Sequence, residues 1–205
     1  MQLTGNPRPL RADAIHNREA VLETAYQSFA AEGLSVPIDE IARRAGVGAG
    51  TVYRHFPTKN ALFGAVIDHR LKQIVTAGRN LLDDGDPGHA LSEFIRAMAL
   101  HWGARDLGLA QTIAGDGIDI YTLAPEAEAR FMGLLGELLA AAKQSGTARA
   151  DLTVREVKAI IVACQAAQIH TPDVADRVTT LILAGLRPSA SGQNDETTAT
   201  SDTPV

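Results

Sequence analysis

Apolar residues recur every three or four positions through most of this chain, and that spacing places them on one face of an α-helix. Across residues 14–32 the stripe contains Val21, Ala25 and Phe29, and Gly33 follows at a position where helices commonly end. Alternating runs rich in Val and Ile, which would indicate strands, are nearly absent. The pattern therefore predicts an all-α fold.

The same spacing predicts the helices that follow. Ile38, Ile41 and Ala42 share one face of a short helix over residues 38–45, and Thr58 is the expected N-cap of a longer helix that begins at residue 60. Clusters of turn-forming residues separate the later helices, which we expect at residues 90–105, 109–118, 126–144, 154–169 and 172–186.

The two ends of the chain have compositions that are typical of segments without a packed core. Prolines and arginines alternate between residues 7 and 11, which predicts a flexible basic arm over residues 1–13. Residues 188–205 contain no aromatic and no basic side chain, so we expect a disordered tail there.

Composition places the chain among ordinary globular proteins, since 45% of its 205 residues are hydrophobic and 21% are charged. No apolar run approaches the roughly 18–20 residues of a membrane span, and the first residues lack the apolar centre of a secretory signal. The single cysteine, Cys164, cannot form an internal disulfide. We interpret it as a small buried hydrophobe and expect a cytoplasmic location with no membrane partner.

Charge is divided unevenly along the chain. Residues 1–72 hold nine Lys and Arg against seven Asp and Glu, whereas the remainder holds ten against seventeen. The net charge of −5 argues weakly against a nucleic-acid partner for the whole chain. A mildly basic first third on an acidic remainder instead indicates two separate functions.

The stretch GAGTVYRHF, residues 48–56, carries side chains that a helix needing only solubility would not use. On a helical wheel Val52 and Phe56 fall together on a buried side, and Arg54 points almost directly away from them. The outward ridge and its two edges consist of Gly50, Thr51, Tyr53, Arg54 and His55.

Such a ridge fits the major groove of DNA. Arg54 suits the O6 and N7 atoms of guanine, while Tyr53, His55 and Lys59 suit phosphates on either side. Small residues at the start of the helix let its backbone N–H groups approach an anion. Together with the short helix before it and the turn at Gly46, the segment predicts a helix-turn-helix over about residues 37–56.

These linked pieces resemble the DNA-binding domain of the TetR family of bacterial transcriptional regulators. The resemblance lies in AYQSFAAEG, IDEIARRAGV, TVYRHFPTK and ALFGAV, which cover about the first third of the chain. It implies a three-helix DNA-binding domain over residues 14–73 and a helical effector-binding and dimerisation domain over residues 74–187. It further implies a homodimer that binds a near-palindromic operator and releases it when a small molecule binds.

The resemblance also implies roles for particular residues. The family pattern gives DNA contacts to Thr51, Tyr53, His55 and Lys59, with Ala49 and Arg54 at more variable positions. For Arg18, a phosphate contact and a plain surface charge remain open alternatives.

The chain departs from the family pattern at the start of the first helix of the motif. Many relatives have Thr or Ser there, whose hydroxyl binds a phosphate, but this chain has Val36 and Pro37. Proline suits a first helical turn yet offers no hydroxyl, and Ser35 is the nearby side chain that could replace the contact.

Two further expectations concern residues 74–187. An effector pocket is expected from residues that would each also suit a core position, namely Met98, His101, Trp102, Arg105, Tyr121 and Met132. A four-helix dimer interface is expected from two apolar stripes, made of Val157, Ile160, Ile161, Cys164, Val174, Val178, Leu181, Ile182 and Gly185.

The interpretation favoured by the sequence is a transcriptional repressor released from its operator by a small molecule. The alternative is a dimeric DNA-binding regulator with no small-molecule effector, controlled by a protein partner or by its abundance. No nucleophile–base pair, metal-ligand spacing or phosphate-cradling loop indicates an enzyme, a metal or a cofactor. The longer helix from about Lys59, with Leu62 early and Ile74 late, is expected to contact both parts of the chain.

Overall fold

The computed structural model of the chain describes residues 8–102 and 123–188. Its helices are α1 (Arg8–Glu32), α2 (Ile38–Arg44), α3 (Ala49–His55), α4 (Lys59–Asp84), α5 (Pro87–Arg96), α6 (Pro125–Gln144), α7 (Val154–His170) and α8 (Ala175–Gly185). A 3-10 turn over Gly33–Ser35 follows α1, and a π-helical segment over Ala97–Trp102 continues α5. No strand occurs in these ranges, and the all-α prediction is confirmed. None of the described helices is long and apolar enough to cross a membrane.

Side-chain caps explain where two of the longer helices begin. The Thr58 Oγ1 atom accepts the N–H of Ala61 at 3.1 Å, so Thr58 is the predicted N-cap, although α4 starts one residue earlier than expected. At the start of α7 the Thr153 N–H donates to Glu156 Oε2 at 2.7 Å, and the Glu156 N–H donates to Thr153 Oγ1 at 3.3 Å. This reciprocal pair is a capping box, which satisfies two N–H groups that the helix itself leaves unpaired.

The flexible-arm prediction for residues 1–13 is wrong for residues 8–13, because α1 already begins at Arg8. Pro9 does not interrupt the helix, since the N–H groups of a first turn have no partner within the helix. Residues 1–7, the predicted helix at 109–118 and the predicted tail beyond residue 188 lie outside the described ranges.

The last helix is shorter than predicted, because α8 begins at Ala175 and not at residue 172. The preceding residues form a turn instead, in which the Val174 N–H donates to the Thr171 carbonyl at 3.1 Å. The Val178 N–H then donates to the Val174 carbonyl at 2.9 Å, which closes the first turn of α8.

Two hydrophobic cores organise the described residues. The N-terminal core joins α1, α2, α3 and the first half of α4 through Val21, Leu22, Ala25, Phe29, Ile38, Ile41, Ala42, Val52, Phe56, Leu62, Phe63, Val66 and Ile67. The C-terminal core joins the second half of α4 to α5, α6 and α7 through Ile74, Val75, Leu91, Phe94, Ile95, Leu134, Leu135, Leu138, Val157, Ile161 and Cys164. Helix α4 therefore contributes to both cores.

Helix α4 approaches its neighbours most closely at Gly78. A Cβ atom built there would lie 2.5 Å from Leu134 Cδ2 on α6 and 2.8 Å from Phe94 Cε2 on α5. Real Cβ atoms do not come so near, so the absence of a side chain at this position lets three helices pack together.

The beginning of α6 belongs to the N-terminal core, although the sequence places it in the second domain. Ala124 and Ala127 are buried in that core, and Leu123 packs against it. A Cβ atom at Gly64 of α4 would lie 3.3 Å from both the Leu123 side chain and its carbonyl oxygen. The predicted domain boundary between residues 73 and 74 misses this contact. The contact forms because the chain folds back on itself, and the periodicity of the sequence does not show such a return.

The packing at Gly78 yields a stability prediction. Gly78→Ala should lower the free energy of unfolding by roughly 1–3 kcal/mol, because the added methyl group overpacks the contact with Leu134 and Phe94. Gly133→Ala is the matched control, since a Cβ at this exposed position of α6 meets no described atom within 4 Å. The control should gain up to about 1 kcal/mol from helix propensity. Urea unfolding at one fixed protein concentration measures both, and shifts of the same sign would contradict the packing argument.

Candidate nucleic-acid interface

The turn between α2 and α3 is built around Gly46. Its φ of 67° lies in the left-handed region, which costs glycine little and other residues more. The Val47 N–H donates to the Ala42 carbonyl at 3.0 Å and the Gly46 N–H to the Arg43 carbonyl at 3.2 Å. These bonds close the end of α2 and redirect the chain into α3, as the helix-turn-helix prediction requires.

Helix α3 lies on the N-terminal core by the two side chains that the helical wheel placed inward. Val52 is 1% exposed and Phe56 is 5% exposed. On the other side Tyr53, Arg54 and His55 are exposed. A short helix fixed by two apolar contacts thus presents three consecutive polar side chains to the surroundings.

The remaining predicted residues of α3 lie at its start. Thr51 is half-buried, and Gly50 is exposed with no described atom within 4 Å of the place a Cβ would occupy. Ala49 is also half-buried and packs against the N-terminal core. The ridge therefore consists of Gly50, Thr51 and the three polar residues after it, with Ala49 serving as part of the support.

Arg18 of α1 lies beside this ridge. Its guanidinium carbon is 5.7 Å from the centroid of the Phe56 ring, close enough for a cation–π contact. A groove of about 260 Å³ runs between α1 and α3, and its walls include Asn17, Arg18, Arg54 and His55. The structure thus brings Arg18 onto the same surface as the ridge.

Lys59 has a protein partner that the sequence did not reveal. Its Nζ donates to the Leu34 carbonyl at 2.7 Å, which ties the start of α4 to the 3-10 turn after α1. An ammonium group has three N–H donors, so two remain for a phosphate. Lys59 combines a fixed position with a partly available charge.

Ser35 does not have the hydroxyl proton available for the missing phosphate contact. Its Oγ donates to the Glu32 carbonyl at 2.9 Å. Pro37 is the N-cap of α2 and not a residue of its first turn, because its ψ of 147° is extended. Its carbonyl accepts the Ile41 N–H at 3.2 Å, so the corner is closed by backbone groups.

An ion-pair network next to the turn was not predicted. Arg43 holds Glu40 through Nε at 2.8 Å and Nη2 at 2.6 Å, and Arg44 Nε binds the same carboxylate at 2.8 Å. Hydrogen bonds from Arg43 and then Arg44 lower the pKa of Glu40 to about 2. Arg44 also reaches Ser28 and Glu32 on α1. The spacing of Glu40 from the two arginines shows the first pairs, but the contact with α1 requires the fold.

The effector-pocket prediction falls largely outside what the structure describes. Met98 is buried in the C-terminal core, and Met132 is half-buried against it. His101 and Trp102 end the π-helical segment, but their side chains are outside the description, as are Arg105 and Tyr121 entirely. A cleft of about 760 Å³ that the sequence did not indicate lies instead between α5 and α8, with Leu91, Arg96, Thr180, Leu183 and Arg187 on its walls.

Part of the dimer-interface prediction is wrong. Val157, Ile161 and Cys164 face the C-terminal core of their own chain, and Ile160 packs against it. Burial raises the pKa of the Cys164 thiol, although the Thr179 hydroxyl opposes this. Helix α7 has apolar residues on two faces, and periodicity alone does not tell which face covers the chain's own core.

The exposed apolar surface of α7 and α8 is a different one. Val162 on α7 is 56% exposed, and Val174 before α8 and Leu181 within it are 41% and 63% exposed. Of the other predicted residues in this part, Val178 and Ile182 are half-buried and Gly185 is exposed. Ile182 packs against the C-terminal core, so the rest of the α8 stripe stays available to a partner, while the exposed apolar face of α7 is the one around Val162.

Two family descriptions match the chain. Residues 21–66 match the model described as bacterial regulatory proteins, tetR family, and residues 86–188 match the model described as transcriptional regulator SbtR-like, C-terminal domain. The second match spans half of the chain, and the first contains both helices of the helix-turn-helix.

Proteins of similar sequence or structure include several transcriptional regulators. A TetR transcription regulatory protein from Mycobacterium vanbaalenii is 53% identical with a TM-score of 0.72, and the alignment covers 88% of this chain and 100% of that one. A TetR transcriptional regulator from Streptomyces coelicolor is 30% identical with a TM-score of 0.66, over 84% and 99% of the two chains. An HTH-type transcriptional regulator of Staphylococcus aureus is 38% identical over 76 residues, which are 37% of this chain and only 41% of that protein.

Proposed function

The chain belongs to the TetR family of bacterial transcriptional regulators, and from that premise we propose that it is a repressor that a small-molecule effector releases from operator DNA. The observation that carries the proposal is the outward ridge of α3, where Tyr53, Arg54 and His55 are exposed on a helix fixed by Val52 and Phe56. A ridge of this kind fits the major groove.

We assign two kinds of DNA contact to this surface. Arg54 lies in the middle of the ridge, where a planar guanidinium can bind guanine O6 and N7 together and so read sequence. Arg18, Tyr53, His55 and Lys59 surround it and suit phosphate oxygens, which fix position and supply affinity. Thr51 and Gly50 leave room for the groove wall to approach.

We propose that two copies of the chain associate through α7 and α8. Exposed apolar residues on or next to these helices include Ala159, Val162, Ala163, Val174 and Leu181, with Val178 beside them and Gly185 at the end. Apolar faces on two antiparallel neighbours pack well against the same faces of a second copy as a four-helix bundle. Two copies would present two α3 helices to the two halves of a near-palindromic operator.

Release requires that the C-terminal core influences the position of α3, and α4 and the start of α6 provide that connection. Helix α4 carries Phe63 in the N-terminal core and Ile74 in the C-terminal core. Asp68 of α4 pairs with Arg130 of α6 and, at 2.7 Å, with Lys72. Burial alone would raise the pKa of Asp68, but Lys72 and Arg130 hold it below its ordinary value, so the pair stays charged.

The energy needed for release is small. A hundredfold loss of operator affinity corresponds to a coupling free energy of about 2.7 kcal/mol between the binding of effector and the binding of operator DNA. That amount is similar to one or two charge-assisted hydrogen bonds. A shift of α4 that breaks a few phosphate contacts on one half of the operator is therefore sufficient.

The assignment of Arg54 predicts a change in sequence preference. Arg54→Ala should cost about 1–3 kcal/mol on a selected operator and relax the preference at one or two base pairs, with little effect on random DNA. Lys59→Ala is the comparison, since loss of a phosphate contact weakens all DNA alike and reduces the salt slope by about one. Titrations over a salt series measure both. An equal loss on operator and random DNA for Arg54→Ala would place that side chain on the backbone.

The proposed interface predicts how the oligomeric state responds to charge. Leu181→Glu should dissociate the dimer at micromolar concentration, because the carboxylate would be buried against an apolar partner face. Thr180→Glu is the matched control, since the neighbouring residue lies on the wall of the cleft toward α5. Sedimentation velocity distinguishes the species. A monomeric wild-type protein, or a control that dissociates equally, would refute this interface.

The release mechanism predicts reciprocity between effector and operator. A compound that raises the melting temperature in a screen of metabolites and drugs should bind the operator complex more weakly than the free protein. The factor must equal the one by which the compound weakens operator binding. Calorimetry with and without operator tests this. Equal affinities would mean that the compound is no effector, and a regulator with no such compound would match the alternative of control by a protein partner or by abundance.

A further inference from the structure

We propose that Arg44 is a positioning residue of the DNA-binding surface, which holds α2 on α1 and so fixes α3, and that it does not contact operator phosphate. The inference rests on the proposed DNA binding through α3. An arginine beside the turn of a helix-turn-helix would ordinarily be assigned to the DNA backbone. The partners of Arg44 argue against that assignment.

The guanidinium group of Arg44 uses all three of its nitrogen atoms within the protein. Nη1 donates to Ser28 Oγ at 3.2 Å and to Glu32 Oε1, and Nη2 donates to Glu32 Oε2 at 3.3 Å. Nε donates to Glu40 Oε1 at 2.8 Å. Ser28 is buried, so one end of this network is anchored in the packing of α1. A two-pronged pair of this kind fixes orientation as well as distance.

The network leaves no net charge for DNA. Arg43 and Arg44 face the carboxylates of Glu32 and Glu40, so two positive and two negative groups cancel within a few ångströms. For Arg44 to reach a phosphate it would have to leave both carboxylates. Glu32 would then face the anionic DNA without a counter-charge, and Glu40 would keep only Arg43. Its partners therefore favour a fixed guanidinium in the bound state also.

The position of Arg44 gives this contact influence over α3. Arg44 is the last residue of α2, a helix of only seven residues, and the chain turns at Gly46 immediately afterwards. Core contacts through Ile38, Ile41 and Ala42 hold one side of α2, and Ala45 packs against the same core just after its last residue. The bonds to Glu32 and Ser28 hold that end of α2 against α1. Because only a short turn joins it to α3, the position of α3 is fixed as well.

Neutralising Glu32 separates positioning from electrostatics by the sign of the effect. If charge alone mattered, Glu32→Gln would remove a negative group near DNA and strengthen binding. If Arg44 must be held in place, the same substitution removes half of its anchor and weakens binding. Glu23→Gln is the matched control, because Glu23 lies on the same helix and, within the ranges that the structure describes, bonds with Gln27 of that helix at 3.0 Å.

The experiment measures affinity for a selected operator and for random DNA over a salt series, with circular dichroism to confirm that each variant is folded. We expect Glu32→Gln and Arg44→Gln each to weaken operator binding roughly tenfold, with an unchanged salt slope and little change on random DNA. The double substitution should be little worse than either single one. Glu23→Gln should bind as well as the wild type.

Three results would overturn the proposal. Tighter binding by Glu32→Gln, wild-type affinity in Arg44→Gln, or a salt slope lower by about 0.9 in Arg44→Gln would each show that Arg44 acts through its charge or not at all. If Arg44→Gln does not fold, Arg44→Lys provides the same test, since it keeps the positive charge but loses the planar guanidinium that binds Glu32 through two nitrogen atoms. Wild-type protein that binds no selected DNA would instead refute the proposed function itself.

Discussion

The presence of one continuous helix in two hydrophobic cores is the constraint on which the rest of the structure depends. Helix α4 has 26 residues and is therefore roughly 39 Å long at about 1.5 Å per residue. Phe63 fixes its first half among α1, α2 and α3, and Gly78 lets its second half lie against Phe94 and Leu134. Since a packed helix does not bend freely, the release proposed above depends on a change in the C-terminal core moving the whole helix.

Local physics explains what could be predicted from sequence. The inward side of α3 depends only on the spacing of Val52 and Phe56, and the cap at Thr58 depends on a residue three positions away. Features that join distant segments were missed, such as the place of Ala124 in the N-terminal core and the bond from Arg44 to Glu32. The stripe through Val157 was real, but its partner is the protein's own core, because an isolated helix with two apolar faces fits either environment.

Formal charge was a poor guide to the nucleic-acid surface for the same reason. Counting basic residues in the first third includes Arg43 and Arg44, yet Arg43 is paired with Glu40, and Arg44 with Glu32 and Glu40. Fewer cations lie near the α3 ridge than this count suggests, and one of them, Lys59, also donates a hydrogen bond to a backbone carbonyl. Position relative to acidic neighbours, more than number, decides which arginines and lysines can attract a polyanion.

The contact between the start of α6 and the N-terminal core has a consequence for how such regulators diversify. A DNA-reading module is often pictured as an exchangeable part that recombination could move between regulators with different sensing domains. Here Leu123, Ala124 and Ala127 complete the packing around Gly64. A DNA-binding module moved to another regulator would therefore lack the side chains that pack against it at this position. Productive exchange would have to carry this short stretch along with the first 70 or so residues, which links the evolution of two regions that are far apart in the gene.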